Sequence, residues 1–476
     1  MTVALRYAAA TLATLLGGCA LPMVGPDYQA PGLRLPNTWA AAPFSAEAPA
    51  GDRTRLARWW TQFGDEKLNW LIDQALAGNL DLKLAQARLN QARASRQLAD
   101  AGLYPTVSAS ASRNRTKSSD AIAPQPTRTL YDAGFDATWE IDVFGGNRRV
   151  IEAATADFAA SQANMDSTRV SLTAELARNY VELCSTQRRI AIARNNLASQ
   201  SETLQIAEWR YQAGLARASE VEQARTSREQ TRAGIPDLEV SLAAAENRIA
   251  LLLGRNPGEL HEMLAETKPL PTVPESMATG IPADVLRQRP DLIAAERTLA
   301  AETARVGQKL AQRFPSLSLS GSFGWQAYSF FALGGAGTIT RALSGTLAAT
   351  LFDGARLRSQ VEIQSAVQEQ ALVSYQRSVL SAIEEIENAL TSYAAARERL
   401  DARRAAAASA RNAAELSRNL YQSGLADFQQ VLETQRTQLS AEDSLATADA
   451  TLCTSLIALY KALGGGWETV NNEKAS

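Results

Sequence analysis

The sequence predicts a mainly α-helical fold with a transmembrane β part, built from two copies of one unit. Three observations predict it. The phrase from Asn79 to Ser108 matches the phrase from Arg289 to Ser318 at an offset of 210 residues, with Asp81 on Asp291 and Tyr104-Pro105 on Phe314-Pro315. Self-similarity at a fixed interval marks a repeated architecture. Residues 147–213, 355–423 and 425–463 contain neither glycine nor proline, so each reads as one unbroken helix. Between the helical runs of each copy, apolar and polar residues alternate strictly, the pattern of a strand with one apolar and one polar face.

Taken in order, the first nineteen residues carry Arg6, a short apolar run from Tyr7 to Leu16, and then Gly17-Gly18-Cys19. That layout reads as an export signal over 1–18. It resembles the bacterial lipobox, in which the cysteine becomes the acylated first residue of the mature chain. The plainer alternative is an apolar N-terminal helix that happens to hold a cysteine. Ala20 stands where an Asp would signal retention in the inner membrane. Several acyl chains anchor firmly where one holds only marginally.

Strands are expected next. In the first copy Val107, Ala109 and Ala111 alternate with Ser108, Ser110 and Ser112, and Phe135, Ala137, Trp139, Ile141 and Val143 alternate with Asp136, Thr138, Glu140 and Asp142. The second copy repeats this with Leu317, Leu319, Phe323 and Trp325, and again with Leu343, Leu347, Ala349 and Leu351. Strands of about ten residues match a tilted bilayer crossing, and Ser and Thr on the polar face suit a wet lumen. Four strands cannot close a barrel without leaving an edge, so spanning strands require several chains to pool them. The alternative is a small antiparallel sheet packed on helices.

A run such as 147–213 would reach on the order of 100 Å at about 1.5 Å per residue, too long for an ordinary globule. Alanine supplies much of the 46% hydrophobic content and aromatics only 6%. That composition suits thin helices packed sideways with close seams; a rod-like coiled coil enclosing nothing is the competing arrangement. Gly214-Leu215-Ala216 and Gly424-Leu425-Ala426 break the runs at matching places, as helix-hairpin turns needing a left-handed residue. Gly234-Ile235-Pro236 is expected to interrupt the first return helix and shorten it. Cys184 and Cys453 fall inside helical runs, as buried free thiols rather than a bridge.

The net charge of -2 gives no electrostatic reason for a nucleic-acid partner, and no apolar run is long enough for a transmembrane helix. His261, the one histidine, sits in "GRNPGELHEML" with no metal-ligand spacing around it and reads as a surface loop residue. No acid–base or nucleophile constellation argues for an enzyme, and no metal or cofactor is expected beyond a covalent lipid on Cys19.

Several ordered phrases resemble one family: "RWWTQFGDEKLNWLIDQAL" from Arg58, "IDVFGGNRR" from Ile141, "IPDLEVSLAAAENRIALLLGRNPG" from Ile235, "GIPADVLRQRPDLIAAER" from Gly280 and "LFDGARLRSQV" from Leu351. They resemble the TolC-like outer membrane efflux proteins, in the lipoprotein branch of the NodT/OprM type. The resemblance implies a homotrimer whose pooled hairpins form a twelve-stranded outer membrane barrel, continued by a periplasmic α-helical barrel. It implies a passive duct, gated at its periplasmic tip, serving a periplasmic adaptor and a proton-driven inner-membrane pump. The segments expected are 19–103 for a linker and equatorial helices, 104–144 for the first β-hairpin, and 145–255 for the first helical hairpin. Then follow 256–313 for an equatorial segment, 314–353 for the second β-hairpin, 354–463 for the second helical hairpin and 464–476 for a tail.

The resemblance also carries site roles. Leu215 and Leu425, with Gly214, Ala216, Gly424 and Ala426 around them, would be the tips that dock the adaptor. Glu433 would form a ring of like charges in the trimer's lumen and attract cations; the plainer reading is a solvated glutamate. The family's neighbouring acid is replaced by Gln430. Glu220 and Tyr421 fall on positions that hold the closed tip through a hydroxyl–carboxylate hydrogen bond, but Ala426 replaces an arginine of the same region. Two other functions stay open: a duct for a protein-secreting exporter, and a non-channel periplasmic spacer of coiled helices.

Overall fold

The computed structural model describes residues 23–32, 39, 56–117, 121, 126–274 and 283–467. The export signal, Cys19 and the residues after Trp467 lie outside them.

A 3-10 turn at Trp59–Phe63 leads into helix α1 (Glu66–Gly78), whose N-terminus is capped by Asp65 accepting from the Lys67 and Leu68 N–H groups. Then come α2 (Leu80–Ala101), strands β1 (Thr106–Thr116) and β2 (Arg128–Ile141), and helices α3 (Gly146–Gln212) and α4 (Ala218–Leu252). A short helix α5 (His261–Leu264) precedes the second copy: α6 (Pro290–Ala311), β3 (Ser316–Ala327), β4 (Ile339–Ala348), α7 (Arg356–Gln422) and α8 (Phe428–Ala462). Repeat partners have equal lengths, 22 residues for α2 and α6, 67 for α3 and α7, 35 for α4 and α8.

That equality corrects one expectation. Gly234-Ile235-Pro236 does not interrupt the first return helix; α4 runs straight through Pro236. Proline removes one N–H and crowds the turn before it, but Pro236 is exposed, so the Arg232 carbonyl deprived of its donor faces water. Buried contacts on both sides, at Thr231 and at Ala245 and Ile249, keep the helix seated.

The chain divides into two compact units, residues 1–32, 88–162 and 294–376 in one, and 33–87, 163–293 and 377–476 in the other. The first contains a single antiparallel sheet in the order β1-β2-β3-β4. Its register puts even-numbered residues on one face and odd-numbered on the other: Ser108 opposite Asp136, Asp136 opposite Ser322, and Ser320 opposite Ser344. The even face is a polar ladder, with Ser112 donating to Asp132 at 3.2 Å, Gln326 to Asp132 at 2.7 Å, and Ser320 and Ser344 bonded at 2.8 Å. The odd face carries Val107, Phe135, Trp139, Leu319, Phe323, Leu343 and Leu347, all exposed. β1 and β4 are exposed at every position. The sheet is therefore not packed on helices, and the ordinary-sheet alternative falls.

Also in this unit, α6 lies between α3 and α7. Arg305 pairs with Asp157 on one side, and Gln364 and Gln368 reach Glu302 and Thr303 on the other. Arg149, fully buried, fastens the N-terminal segment by donating to the Val24 and Gly25 carbonyls and to Asp27.

The second unit has an apolar core of its own. Trp59, Trp60 and Phe63 pack with Leu68, Leu71 and Ile72 of α1, Leu176 and Tyr180 of α3, Ile249 of α4, and Leu456 and Ile457 of α8. The Trp59 ring stacks on Tyr460 at 5.3 Å. Buried Arg289 offsets its desolvation by donating to the Ala462 carbonyl at 2.7 Å, to Asp291 at 2.7 Å and to Glu385 at 2.8 Å. Cys184 and Cys453 are free and buried, and burial pushes each thiol up to about 12.

Candidate functional site

Both Gly-Leu-Ala phrases are helix-hairpin turns. Gly214 (φ +73°) and Gly424 (φ +74°) adopt the left-handed conformation that glycine reaches without steric cost. The Gly214 and Leu215 N–H groups donate to the Tyr211 and Arg210 carbonyls at 2.9 and 2.7 Å; those of Gly424 and Leu425 donate to Tyr421 and Leu420 at 3.0 and 2.8 Å. This paired bonding is the Schellman closure of a helix. It leaves Leu215 70% and Leu425 77% exposed, with Ala216 and Ala426 half-buried beneath them. Nothing in the turn requires an apolar side chain to face water.

Behind the turns, four helix ends share one small core: Leu204 and Ala207 of α3, Val221 and Ala224 of α4, Tyr421 of α7, and Phe428, Val431 and Leu432 of α8. Gln429 donates to Gln223 at 2.7 Å, tying α8 to α4.

Tyr421 is only 3% exposed, and its hydroxyl is buried without a hydrogen-bond partner. Burial first pushes that hydroxyl's pKa up, Arg210 pulls it down, and Glu220 pushes it up again. Glu220 is thus within electrostatic reach, but its carboxylate oxygen instead accepts the Arg217 N–H at 3.4 Å at the start of α4. The two expected residues meet at the tip, where Glu220 lies close enough to raise the Tyr421 hydroxyl's pKa.

The tip is held by a residue the sequence did not single out. The Arg210 guanidinium lies 4.7 Å from the Tyr421 ring centroid and donates to the Tyr421 carbonyl at 3.0 Å. A signal was present: Arg210 is a cation in the last turn of a helix, where free carbonyls gather.

Glu433 lies exposed on α8, and Gln430 is exposed one turn before it. Further along the same helices runs a polar seam. Gln435 donates to Thr203 at 2.8 Å, Ser417 and Thr434 bond at 2.6 Å, and buried Glu442 accepts from Arg411 and Asn196. His261 opens α5 rather than lying in a loop, and its Nδ1 stands 2.9 Å from Glu246 of α4. Among the described residues no group of His, Cys, Asp and Glu could hold a metal ion. Nor, among them, is any helix long and apolar enough to cross a membrane.

One open two-faced sheet made of two hairpins, and a 67-residue helix in each of the two copies, define a subunit of a TolC-like channel. The chain belongs to the outer membrane efflux protein family, whose model matches residues 71–255 and 281–465. It is 33% identical over 464 residues to Nodulation protein T of Rhizobium leguminosarum bv. viciae, covering 97% of this chain and 94% of that one. It is 31% identical over 468 residues to the pyoverdine export outer membrane protein OpmQ of Pseudomonas aeruginosa, covering 96% and 95%. The solved outer-membrane channel OprN superposes with a TM-score of 0.87 at 36% identity, covering 94% of this chain and 99% of that one. The chain is accordingly an outer membrane efflux channel protein.

Proposed function

We propose that three copies of the chain pool their strands into a twelve-stranded barrel, and that their long helices enclose a duct for small molecules such as drugs, toxic compounds or metals. The observation that carries this reading is the sheet. It exposes an apolar face suited to lipid and a hydrogen-bonded polar face suited to water, and it ends in two edges without partner strands. Only closure with further strands removes such edges in a bilayer. The duct is passive, without catalytic chemistry or cofactor, and is anchored by lipid on Cys19.

The turns at Gly214 and Gly424 dock a periplasmic adaptor through Leu215 and Leu425, and the adaptor links the duct to an inner-membrane pump. Glu433, Glu220 and Tyr421 belong to the tip that opens and closes. Support for docking comes from two apolar side chains at matching, well-exposed positions on rigid turns. The double variant Leu215→Asp, Leu425→Asp should abolish export of a dye cargo in cells while leaving the channel assembled in the outer membrane. Normal export by that variant would overturn the docking assignment.

A further inference from the structure

The internal repeat makes a contact inside the chain whose counterpart is left open. At the foot of the sheet, Phe144 of the first copy stacks on Phe314 of the second, with ring centroids 4.8 Å apart and planes 24° from parallel. The partner of Phe144 in the second copy is Phe352, in the matching phrases "VFGG" and "LFDG". The partner of Phe314 in the first copy is Tyr104, each standing just before a proline and a strand. Phe352 is 91% exposed and Tyr104 is 70% exposed, and among the described residues neither ring touches another aromatic ring.

The neighbouring elements show the same incomplete symmetry. β2 pairs with β3 across the boundary between copies, while β4 and β1, which occupy the corresponding places, have no strand on their outer edges among the described residues. Helix α6 buries Leu292, Leu299, Ala301, Ala304 and Val306 between its neighbours. Its counterpart α2 buries only Leu89 and leaves Leu84 and Leu98 in the open. What the first copy offers the second inside one chain, the second copy must offer to the first copy of another chain.

We infer that Phe352 of one chain stacks on Tyr104 of the next, forming an aromatic junction at the foot of the barrel that repeats the internal Phe144–Phe314 stack. The inference rests on the assembly proposed above and adds to it the pair of residues that closes the ring. An edge strand alone is a weak specifier of register, because slippage by two residues preserves the facing of every side chain. A planar aromatic contact at the strand ends fixes that register, since offset stacking requires a defined ring separation.

The test uses the full-length protein in outer membranes, with Cys184→Ala and Cys453→Ala to remove the internal thiols. Tyr104→Cys and Phe352→Cys are then introduced together, and a short bis-maleimide is applied. The expected product is a covalent species of three times the chain mass on denaturing gels, absent from either single variant. Phe144→Cys with Phe314→Cys serves as the control and should link within one chain. Wild type that is trimeric by native mass, with a working control pair and no link between positions 104 and 352, would overturn the junction alone. Wild type that is monomeric by native mass would overturn the assembly and the junction together.

Discussion

Removing the Arg210 guanidinium should loosen the closed tip, and the contacts set the size of the effect. A cation over an aromatic face contributes about 0.5–2 kcal/mol, and a hydrogen bond from a charged donor about 1.5–3 kcal/mol. Arg210 makes one of each to Tyr421. Its side chain is half-buried, so values near the middle apply and Arg210→Ala should cost about 2–4 kcal/mol at this contact. At about 1.4 kcal/mol per tenfold, the open fraction at rest rises roughly 30- to 700-fold if the clasp exists only when the tip is closed. Single-channel recording in planar bilayers reads this as resting leak. Arg210→Lys keeps the charge without the flat guanidinium and should fall between the two. Tyr421→Phe should raise the leak less than Arg210→Ala, because it keeps both the ring under the guanidinium and the carbonyl that Arg210 bonds. A leak that appears in Tyr421→Phe but not in Arg210→Ala would refute this reasoning and restore the hydroxyl–carboxylate latch.

Two further outcomes follow from the charged and nucleophilic groups of the helical unit. The hydrogen bond to Glu246, and secondarily its charge, raise the His261 pKa above the usual value of about 6.5. Stability from this pair is therefore fully present below about pH 6.5 and lost as pH rises through the raised value; the melting-temperature gap between wild type and His261→Gln should close on going from about pH 6 to about pH 8, and a gap independent of pH would contradict the pairing. Burial holds the Cys184 and Cys453 thiols at about 12, so a maleimide at neutral pH should label neither in the native protein and both after denaturation. Rapid native labelling of either would show that its helix seam opens.

Much of the fold was legible because it is written in local patterns. The odd–even alternation from Val107 to Leu347 maps onto two faces of one sheet, and the Gly-free runs map onto 67-residue helices. Gly214 and Gly424 announced their left-handed turns because few other residues adopt that conformation readily. Pro236 misled because its local cost is real, yet the flanking packing outweighs it on an exposed face. Tyr211 and Tyr421 mark what local pattern cannot reach. They stand in the same phrase, yet Tyr211 is 51% exposed and Tyr421 3%. Their environments are set by which helix ends meet at the tip, information absent from either phrase alone. For the same reason Arg210 escaped notice: its partner is 211 residues away in sequence.

The two copies are equal in length where they build and unequal in chemistry where they meet. The repeat partner of Arg210 is Leu420, and the partner of buried Phe428 is Ala218. An arginine from the first tip can therefore clasp the tyrosine of the second, but the second tip has only a leucine to present to Tyr211. The acids are exchanged in the same way: Glu220 has Gln430 as its partner, and Glu433 has Gln223. A perfectly symmetric repeat would make every junction around a closed ring of tips alike, and all would have to yield together. In the proposed ring, with the clasp possible in one direction only, clasped junctions would alternate with unclasped ones. In the gate proposed above, opening is expected to begin at the Leu420 and Tyr211 side, where no cation has to be pulled from an aromatic ring.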